Sequence, residues 1–344
     1  MKNYPIFKVL FINLFLLIFL LFVIELIFGY WFKNKLDLKL TAERNIERVY
    51  KFDFELHKGT SLYKRNNLAF RVGKKEVKPI NIDIVFSGGS TTNQKFLNYE
   101  ETIVGILNSK KSSKNIVNAG IDGMSIIGHL NSFENWFDKI KNLNPKYYIF
   151  YIGINDQSII KKNSKPRAID FLEENSQQEN IIEYLQSNSF FYTKYRFLKT
   201  SLYLKFKFNK FANIVNENTK VYGERNNDSF IRYEKFNYNE IETPLINKIY
   251  LKYLEELTNK VLKRGSKVIY ITQISGTGIN KDLYIISETI INHCNEKKLH
   301  CINLAKNANL QYEDFYDWTH LNKQGSAKAA NFIYENLLNN IFKN

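Results

Sequence analysis

The sequence predicts an α/β protein: a doubly wound, five-stranded parallel sheet, preceded by an N-terminal transmembrane helix and interrupted by a largely helical insertion. Three observations predict it. Five short apolar runs rich in β-branched and aromatic residues follow Pro79, helix-like stretches separate them, and residues Val9 to Phe32 form 24 positions whose only charge is Glu25.

The N-terminal run comes first. At about 1.5 Å per residue it is long enough to cross a hydrocarbon core of roughly 30 Å. A cleaved signal peptide would carry an apolar region of about 7 to 15 residues ending in a small-x-small site. Here the run ends in Tyr30, Trp31 and Phe32, the residue types that form interfacial belts. Residues 1–33 are therefore expected to be a cytoplasmic tip and an uncleaved anchor. Lys2 and Lys8 precede the span and Lys33, Lys35, Lys39, Arg44 and Arg48 follow it, so the flanking charge leaves both orientations open. Glu25 sits close enough to the aromatic edge to be protonated or to reach the interface.

Residues 34–79 are polar and basic with scattered aromatics, and are expected to connect the anchor to a globular part at 80–344. There the strand candidates are Ile82 to Phe86, Asn115 to Asn118, Tyr147 to Ile152, Lys267 to Thr272 and His300 to Leu304. Most are near-continuous rather than alternating, as strands buried on both faces require. Helices are expected over Glu100 to Ser109, Ser125 to Ile140, Leu245 to Arg264, Asn280 to Lys297 and Asn322 to Phe342. In the third of these, Leu251, Leu254, Val261 and Leu262 recur at helical spacing and Gly265 follows as a C-terminal stop. The alternation of strand and helix gives the doubly wound, flavodoxin-like arrangement.

The insertion covers residues 158–244. Its centre, Phe190 to Phe211, holds six Lys or Arg, nine Phe or Tyr and no acid. Such a segment either lies on an anionic membrane surface or forms a helical cap whose aromatics pack on the sheet domain.

Composition bounds the rest. With 44% hydrophobic and 24% charged residues the chain is far too apolar to be disordered. Two cysteines, Cys294 and Cys301, are too few for a disulfide framework or a four-cysteine zinc site, and they leave the redox compartment unread. Cys301 is expected in the core. The net charge of +15 favours anionic partners, but lysine and asparagine are spread through the whole chain, and no nucleic-acid partner is expected.

In a doubly wound sheet, functional groups collect beyond the carboxyl ends of the strands. After the first strand comes Ser87-Gly88-Gly89-Ser90-Thr91, after the second Asn118-Ala119-Gly120-Ile121-Asp122-Gly123, and after the third Gly153-Ile154-Asn155-Asp156. Asp317-Trp318-Thr319-His320 follows the fifth. A serine hydroxyl is a poor nucleophile until an imidazole takes its proton, and a carboxylate orients that imidazole and stabilises its cation. Asp317 and His320 are three apart, close enough for one turn to present both.

These blocks resemble the SGNH (GDSL-like) hydrolase superfamily over about residues 80–342, the insertion excepted. The resemblance implies a serine ester hydrolase with Ser90 as nucleophile, His320 as general base and Asp317 as its orienting carboxylate. Ser90 and Gly123 backbone amides and the Asn155 side chain would form the oxyanion hole, with Gly120 as the alternative glycine. Two departures stand out. The family's Gly-Asp-Ser reads Gly-Gly-Ser here, which blurs subfamily and substrate; its Asp-Gly-x-His-Pro reads Asp-Trp-Thr-His-Leu, which keeps both catalytic types at the same spacing. The implied substrate is an ester, an O-acetyl or other O-acyl group on a cell-surface glycan or lipid. The implied setting is a bacterial inner membrane with the catalytic domain outside the cytoplasm.

No cofactor and no metal are expected. His57 falls in the connector and His129 in a helix, while His293 and His300 flank the cysteines without metal-ligand spacing. Other functions remain open at this point: an O-acyltransferase using the same site, a non-catalytic envelope binding or scaffold module, and an anion-binding flavodoxin-like domain. Against the last, neither Gly-x-Gly-x-x-Gly nor Gly-Lys-Ser/Thr occurs.

Overall fold

A computed structural model of the chain describes residues 4–29, 31–32, 44–73, 77–110, 114–160, 188–206, 214–216, 230–236 and 246–337. The first three residues of the expected tip, residues 34–43 and 74–76 of the connector, most of the insertion and the last residues of the final helix fall outside these. Along the chain run α1 (Tyr4–Phe28), β1 (Ile46–Phe54), β2 (His57–Arg65), β3 (Ile84–Gly88), α2 (Ser90–Asn93), α3 (Ile103–Ser109), β4 (Ile116–Gly120), α4 (Ile126–Asn135) and β5 (Tyr147–Tyr151). Then come α5 (Phe190–Phe206), β6 (Ile214–Asn216), α6 (Lys248–Leu262), β7 (Lys267–Ile271), α7 (Lys281–Lys297), β8 (His300–Ile302), α8 (Leu304–Asn307) and α9 (Lys323–Leu337).

β4, β3, β5, β7 and β8 lie side by side in that order, every pair parallel. In order of appearance this is 2-1-3-4-5, the flavodoxin-like doubly wound order, which reverses between β3 and β5. The strands are mostly apolar because both faces are covered, and β3, β4 and β5 are buried at every residue. On β5, Tyr147, Ile149 and Tyr151 join the core under α3, α7 and α9 with Ile103, Leu283 and Ile333. Tyr148 and Phe150 point to the opposite face, where Phe133 and His129 of α4 meet them ring to ring. Helix ends follow the sequence: Thr102, Ser125, Asn247 and Asn280 accept from amides of the helices they precede, and Gly265 turns the chain at φ +73.

The stretch expected to be a connector is more than that. Residues 46–65 form an antiparallel hairpin with Phe54 opposite His57, and β6 pairs parallel with β1 along its other edge. Tyr50, Phe52, Phe54 and Tyr63 are buried with Phe96 and Tyr316 in a second apolar cluster. Burial of these rings, each worth on the order of 2 kcal/mol, explains why a lysine-rich segment is ordered. Cys301 is corrected too: it is half-buried, and it is disulfide-bonded to Cys294 with Cα atoms 6.2 Å apart, joining the end of α7 to β8.

Two compact units are distinguishable, α1 with α5 in one and the sheet, its helices and the hairpin in the other. In the first, residues Phe7–Phe28 have a mean hydropathy of 2.9. The Glu25 carboxylate accepts from Trp31 Nε1 (2.8 Å) and from the amides of Phe190 (2.9 Å) and Phe191 (3.0 Å), so it caps the first turn of α5. Phe28 packs on Phe190 at 5.4 Å between ring centroids. Of the two settings expected for the basic aromatic segment, α5 therefore shares a unit with the apolar helix rather than with the sheet.

Candidate active site

β3 delivers the chain to the sheet's carboxyl edge with Ser87 and Gly88 fully enclosed, and Gly89 then opens the one-turn helix α2, whose first residue is Ser90. Neither glycine has free space for a side chain: a Cβ at Gly88 would overlap Thr92 Oγ1 and crowd the Tyr151 carbonyl, and one at Gly89 would have to displace the Asn155 amide nitrogen. As the first residue of α2, Ser90 has an amide among those a helix leaves without an internal acceptor.

The Asp317–His320 segment folds as a tight turn around the carboxylate. Asp317 Oδ1 accepts from the amides of Thr319 and His320, both at 2.7 Å, and Oδ2 lies 2.7 Å from His320 Nδ1. Asp317 is 3% exposed. With both carboxylate oxygens accepting from these donors, Nδ1 carries the imidazole proton and Nε2 is left to accept. Nε2 is 2.7 Å from Ser90 Oγ. Three side chains separated by up to 230 positions thus form one hydrogen-bonded row: Ser90 O–H to His320 Nε2, and His320 Nδ1–H to Asp317. Behind the imidazole, the Tyr316 ring stacks at 5.5 Å and 11°, and His57 stacks in turn on Tyr316 at 5.2 Å.

The other residues singled out in the sequence fall around this row. Asn155 lies on a short turn after Gly153 (φ +138); its amide donates to Met124 O at 3.0 Å and lies against Gly89. Gly123, at φ +80, turns the chain after β4. Gly120 has a different task. Its amide is engaged by Asn118 Oδ1 at 2.9 Å, and its missing Cβ lets the backbone of Thr92 and Asn93 pack against β4. Asp156, adjoining Asn155, is buried and ties this turn to the first turns of α4 and α6, accepting from Ile126 N (2.7 Å) and from Tyr250 OH (2.9 Å). Burial and that carboxylate push the Tyr250 phenol well up, so it stays a donor.

Sequence reasoning missed Gln273, because it considered no loop after β7. Its Nε2 donates to Thr91 Oγ1 (2.8 Å) and Tyr151 O (3.0 Å) while Oε1 accepts from Ile154 N (2.7 Å), so it ties the serine turn to the asparagine turn. Its position just past the carboxyl end of a parallel strand was the available signal. Of the remaining histidines, His129 meets Ser87 Oγ at 3.1 Å and His293 meets Thr258 Oγ1 at 2.8 Å. Among the described residues no group of three or more His, Cys, Asp or Glu is arranged to hold a metal. A cavity of about 500 Å³ bordered by Tyr147, Lys267 and His300 lies at the amino ends of β5, β7 and β8, the opposite edge of the sheet.

No family model and no curated protein matches this chain. Solved structures similar to it include lipolytic proteins of the G-D-S-L family from Desulfitobacterium hafniense (12% identity, 74% of this chain and 99% of that one, TM-score 0.42) and from Veillonella parvula (14%, 74% and 97%, 0.42). A catalytic mutant of the acetylxylan esterase Axe2 from Geobacillus stearothermophilus is similar at 12% identity over 74% of this chain and 93% of that one, with a TM-score of 0.41. With overlaps this distant, the chemistry of the site has to be argued from its own geometry.

Proposed function

We propose that the chain is a membrane-anchored serine ester hydrolase. The observation that carries this is the 2.7 Å approach of His320 Nε2 to Ser90 Oγ with Asp317 behind it. Ser90 Oγ attacks the ester carbonyl carbon as His320 takes its proton, and the carbonyl oxygen becomes an oxyanion facing the Ser90 and Gly123 amides and the Asn155 side chain. The carbon–oxygen bond to the alcohol then breaks, and the alcohol leaves with the proton held by His320. Water, deprotonated by the same imidazole, attacks the acyl-enzyme; the acid departs and Ser90 recovers its proton. Each preorganised donor at the oxyanion lowers the barrier by about 2.7–4 kcal/mol.

The motif resemblance favours an O-acyl ester of a cell-surface glycan or lipid, and the apolar helix α1 favours a protein held at a membrane. The cap that Glu25 places on α5 supports an interfacial position for that basic helix beside the anchor. The Cys294–Cys301 disulfide supports a sheet domain on the oxidising side of the membrane.

The test uses the full chain in detergent with a fluorophosphonate probe and p-nitrophenyl acetate. The wild type is expected to be labelled and active, and Ser90→Ala and His320→Ala to be neither. A wild type that is folded, unlabelled and inert would sink the proposal.

A further inference from the structure

We propose that Arg65 and Arg71 are positioning residues for the reaction at Ser90, a proposal that rests on reading Ser90 as the nucleophile. Both come from the segment that the sequence presents as a connector. Arg71 bridges to Asn118 of β4, its amide donating to Asn118 O at 2.9 Å, which brings its side chain under the loop that follows Ser90. Its guanidinium donates to Asn93 O, to Gln94 O (2.5 Å) and to Leu97 O. Arg65 donates to Gly120 O, to Ala69 O (2.5 Å), to Asn93 Oδ1 (3.1 Å) and to Tyr63 OH (2.6 Å).

The acceptors explain the geometry. α2 is a single turn, so its last carbonyls have no helical partner, and a cation at a helix C-terminus is favoured by the backbone dipoles. The Arg71 fork occupies that end and so fixes where the turn beginning at Ser90 stops. Arg65 joins the same turn, through Asn93, to Gly120 on the loop that leads to Gly123. The two guanidinium groups therefore set the distance between the nucleophile turn and the glycine turn.

The cost of the arrangement argues for a purpose. Arg65 is 5% exposed and Arg71 1%, and neither forms an ion pair among the described residues. Burial pushes the Arg71 guanidinium down to about 10, which still leaves it charged at neutral pH. Two desolvated cations held by uncharged acceptors are an expensive way to fill a core that apolar side chains would fill better. Lysine keeps the charge but cannot span several acceptors with a planar fork.

The experiment compares full-length Arg71→Lys and Arg65→Lys with Val261→Ala, a buried truncation on α6 remote from these contacts, at matched loss of Tm. The arginine variants are expected to lose about 10²-fold in kcat, the scale of a 1 Å misplacement, with KM held within about twofold. Hydrogen exchange should rise in peptides covering residues 88–97 and stay unchanged over 147–151. The proposal is overturned if both arginine variants keep wild-type kcat, or if Val261→Ala loses as much, or if exchange over 88–97 does not change. Should the wild type itself prove inert to the probe, the Ser90 reading fails, and the exchange measurement still decides whether the arginines hold the turn.

Discussion

Asn155 and Gly89 touch across the floor of the site, and that contact makes a two-sided prediction. A methyl group at position 89 would occupy the place of the Asn155 amide nitrogen, with Asn155 and Met124 O, not Asp317 or His320, as its nearest neighbours outside the adjoining chain. Gly89→Ala is therefore expected to reproduce Asn155→Ala, each lowering kcat by roughly 10²- to 10³-fold through loss of one oxyanion donor. The double variant should cost little more than either alone, since both remove the same donor. Kinetics on p-nitrophenyl acetate decide the matter: additive losses would mean that Asn155 is not the group displaced. At this scale much was legible. Ser90 and Asn155 stand beside glycines just past the ends of β3 and β5, and Asp317 and His320 share one tight turn ahead of α9. Gln273, Arg65 and Arg71 were not legible, because a long polar side chain in a loop is ordinary until the structure shows it reaching across two others.

Among the elements, the helix order read well and the hairpin did not. β1 has apolar residues at 46, 50, 52 and 54, but Arg48 interrupts the stripe and Val49 faces the other way, so the alternation is broken where it should be plainest. Its partner β2 buries an arginine, which no apolar pattern announces. The contact between α4 and β3 supplies a prediction of its own. His129 is fully enclosed against Ser87 and Phe150, and burial pushes its imidazole down to about 3 from the usual 6.5. Below about pH 6.5 the unfolded chain gains a proton there that the folded chain refuses. The unfolded state then binds more protons, so stability falls as pH falls toward 3, by up to about 1.4 kcal/mol per unit from this group. Replacing His129 by Asn removes the effect. The Tm deficit of His129→Asn at pH 7.5 should accordingly shrink at pH 5, and a deficit of constant size would rule out the buried neutral imidazole as the source.

For the molecule as a whole, the sequence offers an apolar run long enough to cross a membrane but leaves its direction open, since basic residues flank it on both sides and the positive-inside count needs an imbalance. The disulfide supplies an independent observable. Cysteines seven positions apart read in sequence as a lone core residue beside a helix end; only the αL turn at Lys298, which brings the end of α7 back to β8, sets them side by side. Closing so short a loop contributes about 2–3 kcal/mol on the chain-entropy account, and it forms only where thiols are not kept reduced. If the sheet domain faces outward, both cysteines are oxidised in the cell. Cells quenched in acid, denatured and treated with a maleimide-polyethylene glycol should then show no mass shift in the protein before reduction and a shift of two adducts after it. The membrane link is scored on the same samples, because carbonate-washed membranes should retain the full chain and release one lacking residues 1–33. Two adducts without reductant on a chain that stays with the membrane would reverse the orientation: the anchor would stand, and the edge of the sheet that carries Ser90 would face the cytoplasm.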